Sequence, residues 1–222
     1  MPHLVPIAYF HSPLTSKFGI PRQSGLVDEL RGSIVFEKPY NHPDALRGIE
    51  DFDYLWLIWG FSENPVNEQQ PPLTVRPPRL GGNKRLGVFA TRSPFRPNGL
   101  GLSCVRIARV EQGVIHVLGA DLMNGTPIYD VKPYIPYADA HPDARGGFTD
   151  LTEWKALEVD FPEVWRKGFT PDQQTALMKI LSLDPRPHYH ADAQRVYGMP
   201  FAGRDIKFTV SDGIIHVVGV SS

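Results

Sequence analysis

The sequence predicts a mainly β chain: a β-barrel-like domain over residues 1–160, then a small α+β domain over 161–222. Three observations carry this reading. The 22 prolines and 20 glycines among 222 residues disfavour long helices and favour short strands joined by shaped loops. Short apolar runs rich in branched and aromatic side chains recur between turn signals through the first 160 residues, as half-buried strands require. Helical spacing is confined to two stretches between Asp160 and Leu183. A hydrophobic fraction of 41% is enough to bury a core in a chain of this length.

In order, Leu4 to Phe10 reads as the opening strand and Pro21 to Gly25 as a polar turn leading to a strand at Ser33 to Phe36. Pro43 to Arg47 suits one helical turn. Asp53 to Phe61, dense in Trp, Tyr, Leu and Ile, predicts a strand buried on both faces. Residues 62–82 are proline-rich and polar, a long loop. Val105 to Val110 and Val114 to Gly119 flank Glu111-Gln112-Gly113, a β-hairpin signal, and Met123 to Thr126 forms another tight turn. Helical spacing at Asp160 to Lys167 is short. At Pro171 to Leu183 it is clearer, with Thr170 as N-cap and Pro171 at the first helical position. The tail returns to β, with Arg204 to Val210 and Ile214 to Val220 joined at Ser211-Asp212-Gly213. The spacing Gly99-Leu100-Gly101-Leu102-Ser103 lacks the third glycine and the following helix of a dinucleotide-binding fold.

The net charge of −1 conceals an uneven distribution. Gln69 to Val110 contains no Asp or Glu but holds Arg76, Arg79, Lys84, Arg85, Arg92, Arg96, Arg106 and Arg109, a charge of +8 that leaves −9 for the rest. A basic segment on an acidic body is the electrostatic footprint of a polyanion-binding face, unless the charges pair across the fold. The longest apolar run, residues 54–61, is far short of a membrane span and the N-terminus does not open a signal peptide,. No membrane association is expected, and the chain is placed in the cytoplasm. The single cysteine, Cys104, suits a reducing compartment and reads as a buried packing residue. No base or oxyanion pattern beside Ser103 or Cys104 suggests a hydrolase. His188-Tyr189-His190 pairs two histidines at i, i+2, but no third ligand follows at standard spacing, so no metal is expected.

Ala90-Thr91-Arg92-Ser93-Pro94-Phe95-Arg96-Pro97-Asn98 reads as a site rather than a scaffold. Two prolines fix φ, Asn98-Gly99 supplies a turn, and Arg92 and Arg96 present planar guanidinium forks suited to acidic or aromatic groups. The plainer alternative is a solvated turn with surface arginines. Pro21-Arg22-Gln23 offers a rigid backbone, a cation and an amide, enough to hold a zwitterionic group. Asp121 to Gly125 supplies acceptors and backbone groups, or is a simple turn between strands.

Taken together, Pro21-Arg22-Gln23, Gly87 to Pro94, Arg96-Pro97-Asn98, Asp121 to Ile128, Asp130 to Tyr137 and, in the tail, Asp184-Pro185-Arg186-Pro187 with Tyr189 resemble the TsaA-like tRNA N6-methyltransferases across nearly the whole chain. The resemblance implies a β-barrel quite unlike the usual methyltransferase fold, acting as a homodimer with its cofactor sites near the subunit contact. It implies S-adenosylmethionine as cofactor and the anticodon loop of tRNA as partner, with methylation at N6 of threonylcarbamoyladenosine at position 37. By the same likeness the cofactor residues are Pro21, Arg22, Gln23, Phe61, Ser62, Arg92, Leu102, Leu122, Met123, Asn124 and Gly125. Asp121, Asp130, Lys132 and Tyr134 are the polar groups available for catalysis, although Asp130 and Lys132 could instead form an ion pair. Arg96, Arg186, Tyr189 and Tyr197 are the candidates for holding RNA, the aromatics by stacking on unpaired bases. The C-terminal domain is expected to dock tRNA, so that deleting Phe169 to Ser222 spares cofactor binding. The chain departs from the family at Asn98-Gly99-Leu100-Gly101, where members usually read Asn-Pro-Ile-Gly, a change expected to loosen the turn. Phe61-Ser62 stands where many members carry a histidine after the phenylalanine. The alternative reading is a tRNA- or nucleotide-binding module that keeps the cofactor pocket without chemistry.

Overall fold

The computed structural model describes residues 4–63, 72–77, 84–151, 155–186 and 192–221. Six strands close into an antiparallel barrel: β1 (Ala8–His11), β2 (Arg31–Phe36), β3 (Tyr54–Gly60), β6 (Leu100–Glu111), β7 (Val114–Leu118) and β8 (Pro127–Pro133), in the order β1-β2-β7-β6-β3-β8. Closure removes every exposed strand edge. Between β3 and β6, β4 (Thr74–Val75) pairs with β5 (Leu86–Gly87) as a small ribbon outside the barrel. β1 begins later than the apolar run suggests, where its register with β2 and β8 starts.

Side chains alternate along each strand, and Phe10, Ile34, Leu55, Leu57, Trp59, Val105, Ile115, Val117 and Ile128 fill the interior,. β3 is not buried on both faces: Leu55, Leu57 and Trp59 point inward, while Tyr54 is exposed and Trp56 and Ile58 are half-buried outside. Its aromatic density misleads because an amphipathic barrel strand with an aromatic outer face looks uniformly apolar in sequence. Small residues let the interior close. A Cβ on Gly101 would stand 2.3 Å from the Trp59 indole, and one on Gly32 2.2 Å from the Phe10 ring.

Gln112 and Gly113, both at positive φ, turn β6 into β7, the mirror-image turn that matches strand twist. The same device joins β10 (Tyr197–Phe201) to β11 (Arg204–Ser211) at Ala202-Gly203, and β11 to β12 (Ile214–Ser221) at Asp212-Gly213. β9 (Glu158–Asp160) adds to β12 in parallel, completing the sheet β10-β11-β12-β9. The second unit therefore begins before residue 158, not at 161. Of the helical spacing at 160–167 only one turn forms, α3 (Glu163–Arg166), because Asp160 is still in β9 and Pro162 caps the turn. The other one-turn helices are α1 (Pro43–Leu46) and α2 (Pro136–Asp139). α4 (Pro171–Ser182) starts with a full capping box between Thr170 and Gln173, with Pro171 in its first turn, and buries Ala176, Leu177, Ile180 and Leu181,.

The second core is not built from the C-terminal unit alone. Leu14, Val27 and Leu30, from the long β1–β2 connection, are buried among Leu177, Ile180, Leu181, Met199, Phe201 and Phe208, with Phe18 and Ile20 packed alongside. Gly19, at φ 96°, lies so close to Met199 that a Cβ would be 2.2 Å from its sulfur. Ala202 donates a backbone hydrogen bond to Pro13 (2.9 Å). Arg31 pairs with Asp172, and Lys179 with Glu29. The segment carrying Pro21-Arg22-Gln23 is thus clamped between barrel and C-terminal sheet, and the C-terminal unit is not a separable appendage. No described helix is long and apolar enough to cross a membrane.

Candidate active site

Strand polarity sends three connections to one end of the barrel: residues 12–30 between β1 and β2, 61–99 between β3 and β6, and 119–126 between β7 and β8. These carry the cofactor residues expected from the sequence, except Leu102. Gly25 donates to the carbonyl of Gly119 (2.8 Å), joining the first connection to the third. Phe61 donates to the carbonyl of Gly99 (2.9 Å), closing the second on itself. Asn124 donates to the carbonyl of Leu14 (2.8 Å), and Ser12 donates to the Asn124 side-chain oxygen (3.1 Å).

The proline-framed loop is rigid through local bonds. Ser93 and Phe95 donate from their backbones to the hydroxyls of Thr91 and Ser93, and the Arg96 guanidinium donates to the Thr91 carbonyl (3.1 Å). Arg96 therefore braces this loop. Asn98 and Gly99 lie at φ 65° and 58°, a region closed to proline, and Gly99 donates to the Arg96 carbonyl (3.2 Å). With Gly99 in place, the turn is wound through two residues at positive φ and closed by this hydrogen bond.

Asp121 occupies the centre, sunk into the barrel mouth with part of its surface open. The Trp59 indole donates to the Ser103 hydroxyl (2.9 Å), which donates to Asp121 (2.5 Å). Burial pushes the Asp121 carboxyl above the ordinary aspartate range, outweighing the Ser103 hydroxyl, the amides of Asp121 and Ser24, and the charge of Arg92,. Arg92 in turn donates to the Gln23 side-chain oxygen. A cation, an amide and a carboxylate of raised proton affinity thus meet at one rim. Phe61 packs edge-on against Trp59, ring centroids 4.4 Å apart, leaving Ser62 in the turn beyond.

Pro21, Arg22, Gln23, Phe61, Ser62, Arg92, Asp121, Met123, Asn124 and Gly125 gather around this rim, with Leu122 buried beneath it. Leu102 lies on the outer wall, 57% exposed. Asp130 and Lys132 form an exposed ion pair at 3.0 Å on the outer face of β8. Tyr134 packs on Tyr54 and Trp56 at the opposite end of the barrel, about 20 Å along the strand from Pro127 at a rise of ~3.3 Å per residue. Within one chain Lys132 and Tyr134 are therefore outside the Asp121 cluster. Tyr197 is a core residue, 6% exposed and stacked with Phe18 and Phe208, so it offers no face to a base. Arg186 is held in a fork by Asp184 (2.8 and 2.9 Å), both largely buried, which makes it a brace. Tyr189 and the His188-Tyr189-His190 motif lie outside the described residues. Cys104 is half-buried on the outer face of β6 rather than in the core, and its thiol is pushed up by burial and then by Asp139.

Sequence reasoning missed Trp59 and Ser103 as a polar relay, although a serine between apolar strand residues two positions after an indole-accommodating glycine is the signal. It also missed Phe89 and Phe95, 77% and 54% exposed on the arginine loop.

Comparison with known proteins places these features. Residues 9–140 match the model of the tRNA-methyltransferase O N-terminal domain, and residues 155–222 that of the TrmO C-terminal domain. The chain is 38% identical over 223 residues to the Escherichia coli (strain K12) tRNA (adenine(37)-N6)-methyltransferase, covering 95% of this chain and 94% of that protein. It is 41% identical over 215 residues to a Pseudomonas aeruginosa protein described as an S-adenosylmethionine-dependent methyltransferase, covering 93% and 92%. The crystal structure of TrmO from Pseudomonas aeruginosa superposes with a TM-score of 0.81 at 33% identity, covering 100% of this chain and 98% of that one.

Proposed function

Because this chain belongs to the tRNA-methyltransferase O family through both of its domains, we propose that it is an S-adenosylmethionine-dependent methyltransferase acting on N6 of adenosine 37 in tRNA, with the threonylcarbamoyl form of that nucleoside as its acceptor. The observation that carries the reading is the convergence of Gln23, Arg92 and Asp121 on one rim. The residues present suit the cofactor: Arg92 for a carboxylate, the amide-rich turn 121–125 for polar edges, and the half-buried Phe61 ring for apolar contact,. When bound, S-adenosylmethionine supplies a methyl group on a positively charged sulfur, so transfer releases a neutral thioether.

The protein's part is alignment and proton removal. In threonylcarbamoyladenosine N6 belongs to a urea, whose lone pair is delocalised and whose N–H is more acidic than that of adenine. Asp121 takes that proton as the N–C bond forms, and its raised proton affinity makes it a better base than an ordinary aspartate,. The Trp59–Ser103 relay fixes its orientation, as rigid support of a reacting group requires. Phe89 and Phe95 offer faces for unpaired anticodon-loop bases,. We further read the protein as a homodimer: the outer faces of β3, β6 and β8 combine Tyr54, Trp56, Ile58 and exposed Leu102, a composition suited to self-association.

The acceptor is tested by supplying labelled S-adenosylmethionine with two tRNAs of identical sequence, one threonylcarbamoylated and one an unmodified transcript, and identifying the labelled nucleoside after digestion. Label is expected on position 37 of the modified RNA alone. Equal labelling of both would remove the urea mechanism while leaving the enzyme class intact.

Arg92→Ala is expected to weaken S-adenosylmethionine binding by about 1.5–3 kcal/mol, the cost of one charge-assisted hydrogen bond, without unfolding the protein. Calorimetry showing unchanged affinity would take Arg92 out of the cofactor site.

A further inference from the structure

The barrel wall beside the site carries a second chemical feature. Register places His11 opposite Ser33, Ser33 opposite His116, and His116 opposite Arg109, a transverse row across β1, β2, β7 and β6. The Ser33 hydroxyl and His116 Nδ1 lie 2.9 Å apart. With Arg31 and Asn124 the row lines a groove of about 390 Å³ that no Asp or Glu lines. A register shift between Ile107 and Arg109 marks an irregularity in β6 beside this row, the kind of kink that re-aims a side chain.

The solvent face of an antiparallel sheet is ordinarily polar, but such a face carries charges of both signs. Here every ionisable group lining the groove itself is a cation or an imidazole, and carboxylates enter only as the ion-pair partners Asp172 and Glu111 of Arg31 and Arg109. The groove is assembled from distant parts of the sequence and shares only Ala108 and Arg109 with the basic segment 69–110. Its lining includes Asn124, in the turn that holds the candidate site. Arg31 pairs with Asp172 and Arg109 with Glu111 (3.0 Å), but these side chains are half or more exposed, and such pairs contribute little and exchange readily for a phosphate.

We propose that this row is a track for the phosphodiester backbone of the tRNA whose adenosine 37 enters the site. The proposal rests on the tRNA-methyltransferase reading and adds where the flanking backbone lies. Phosphate neutralisation here is independent of base sequence, so the track positions the RNA while the rim selects the nucleotide.

The test is anisotropy titration of full-length tRNA at rising salt. Arg109→Gln is expected to reduce the log–log salt slope by about 0.7, the value for one lost contact on unpaired RNA. Ser33→Asp, which plants a carboxylate in the groove, is expected to weaken tRNA binding more than tenfold. Both variants should melt normally and bind S-adenosylmethionine as the wild type does. Unchanged slope and affinity in both overturn the track, as does a change of association state in place of a change in RNA affinity. Wild-type protein that fails to bind tRNA at all overturns the track together with the reading beneath it.

Discussion

Asp121→Asn is expected to lower kcat by about a hundred- to ten-thousandfold, the range for losing a positioned general base, while the protein stays folded. The sign of the pKa shift makes this more than a knock-out. Burial raises the Asp121 pKa above its unfolded value, so no stability is lost below the unfolded pKa, the cost grows as the pH rises towards the folded pKa, and it is full above that. Asparagine removes the buried charge but also one acceptor facing the amides, and the two effects oppose. The melting temperature at neutral pH should therefore move little. The same shift displaces the acid limb of the wild-type rate profile to a higher pH than an ordinary aspartate would give. A single-turnover profile that keeps this limb in Asp121→Asn, or a variant with wild-type kcat, would remove Asp121 as the proton acceptor and leave it as a brace.

Ending the chain before residue 155 is expected to abolish S-adenosylmethionine binding as well as methylation, against the expectation that the C-terminal domain serves RNA docking alone. Leu14, Val27 and Leu30 are at most 2% exposed, and uncovering each costs about 1.5–3 kcal/mol. The sum is comparable with the whole stability of a typical domain, about 5–15 kcal/mol. The Lys179–Glu29 pair would go too. Its hydrogen bond to Lys179 holds Glu29 below the ordinary glutamate range, so its contribution is present at neutral pH and fades as the pH falls through that lowered pKa. Because truncation removes a large part of the second core along with the clamp, Gly19→Ala is the sharper variant. It places a methyl against Met199 at a φ unsuited to alanine,, two residues from Pro21. Cofactor affinity should fall tenfold or more with the fold retained. Wild-type affinity in Gly19→Ala would show that the clamp does not set the loop.

What was legible in the sequence follows the range of the interactions. The Gln112-Gly113 and Asp212-Gly213 turns and the Thr170 cap are local chemistry and read correctly. β10 was missed because Gly198 and Pro200 interrupt the strand pattern, and pairing to β11 overrides them,. The pairing of β1 with β8 that closes the barrel spans more than a hundred residues and leaves no local mark. The rim residues were placed together by family likeness, whereas the relay from Trp59 through Ser103 to Asp121 needed the register of β3 on β6. Tyr197 and Arg186 show the converse error: an aromatic ring and a guanidinium look alike in sequence whether they meet a ligand or brace a core.

The three connections at one end of the barrel leave the other end with the tight Gln112-Gly113 turn, the connection 37–53 and the exit of the chain from β8. The Gln112-Gly113 turn stands about 30 Å along β6 from Ser103, at ~3.3 Å per residue,, and the chain there has only to reverse direction. Chemistry gathers at one pole of the closed sheet, so the Gln112-Gly113 hairpin at the other is free to drift by mutation or to accept a grafted reporter. The working pole has no such latitude, since each of its loops is stitched to another.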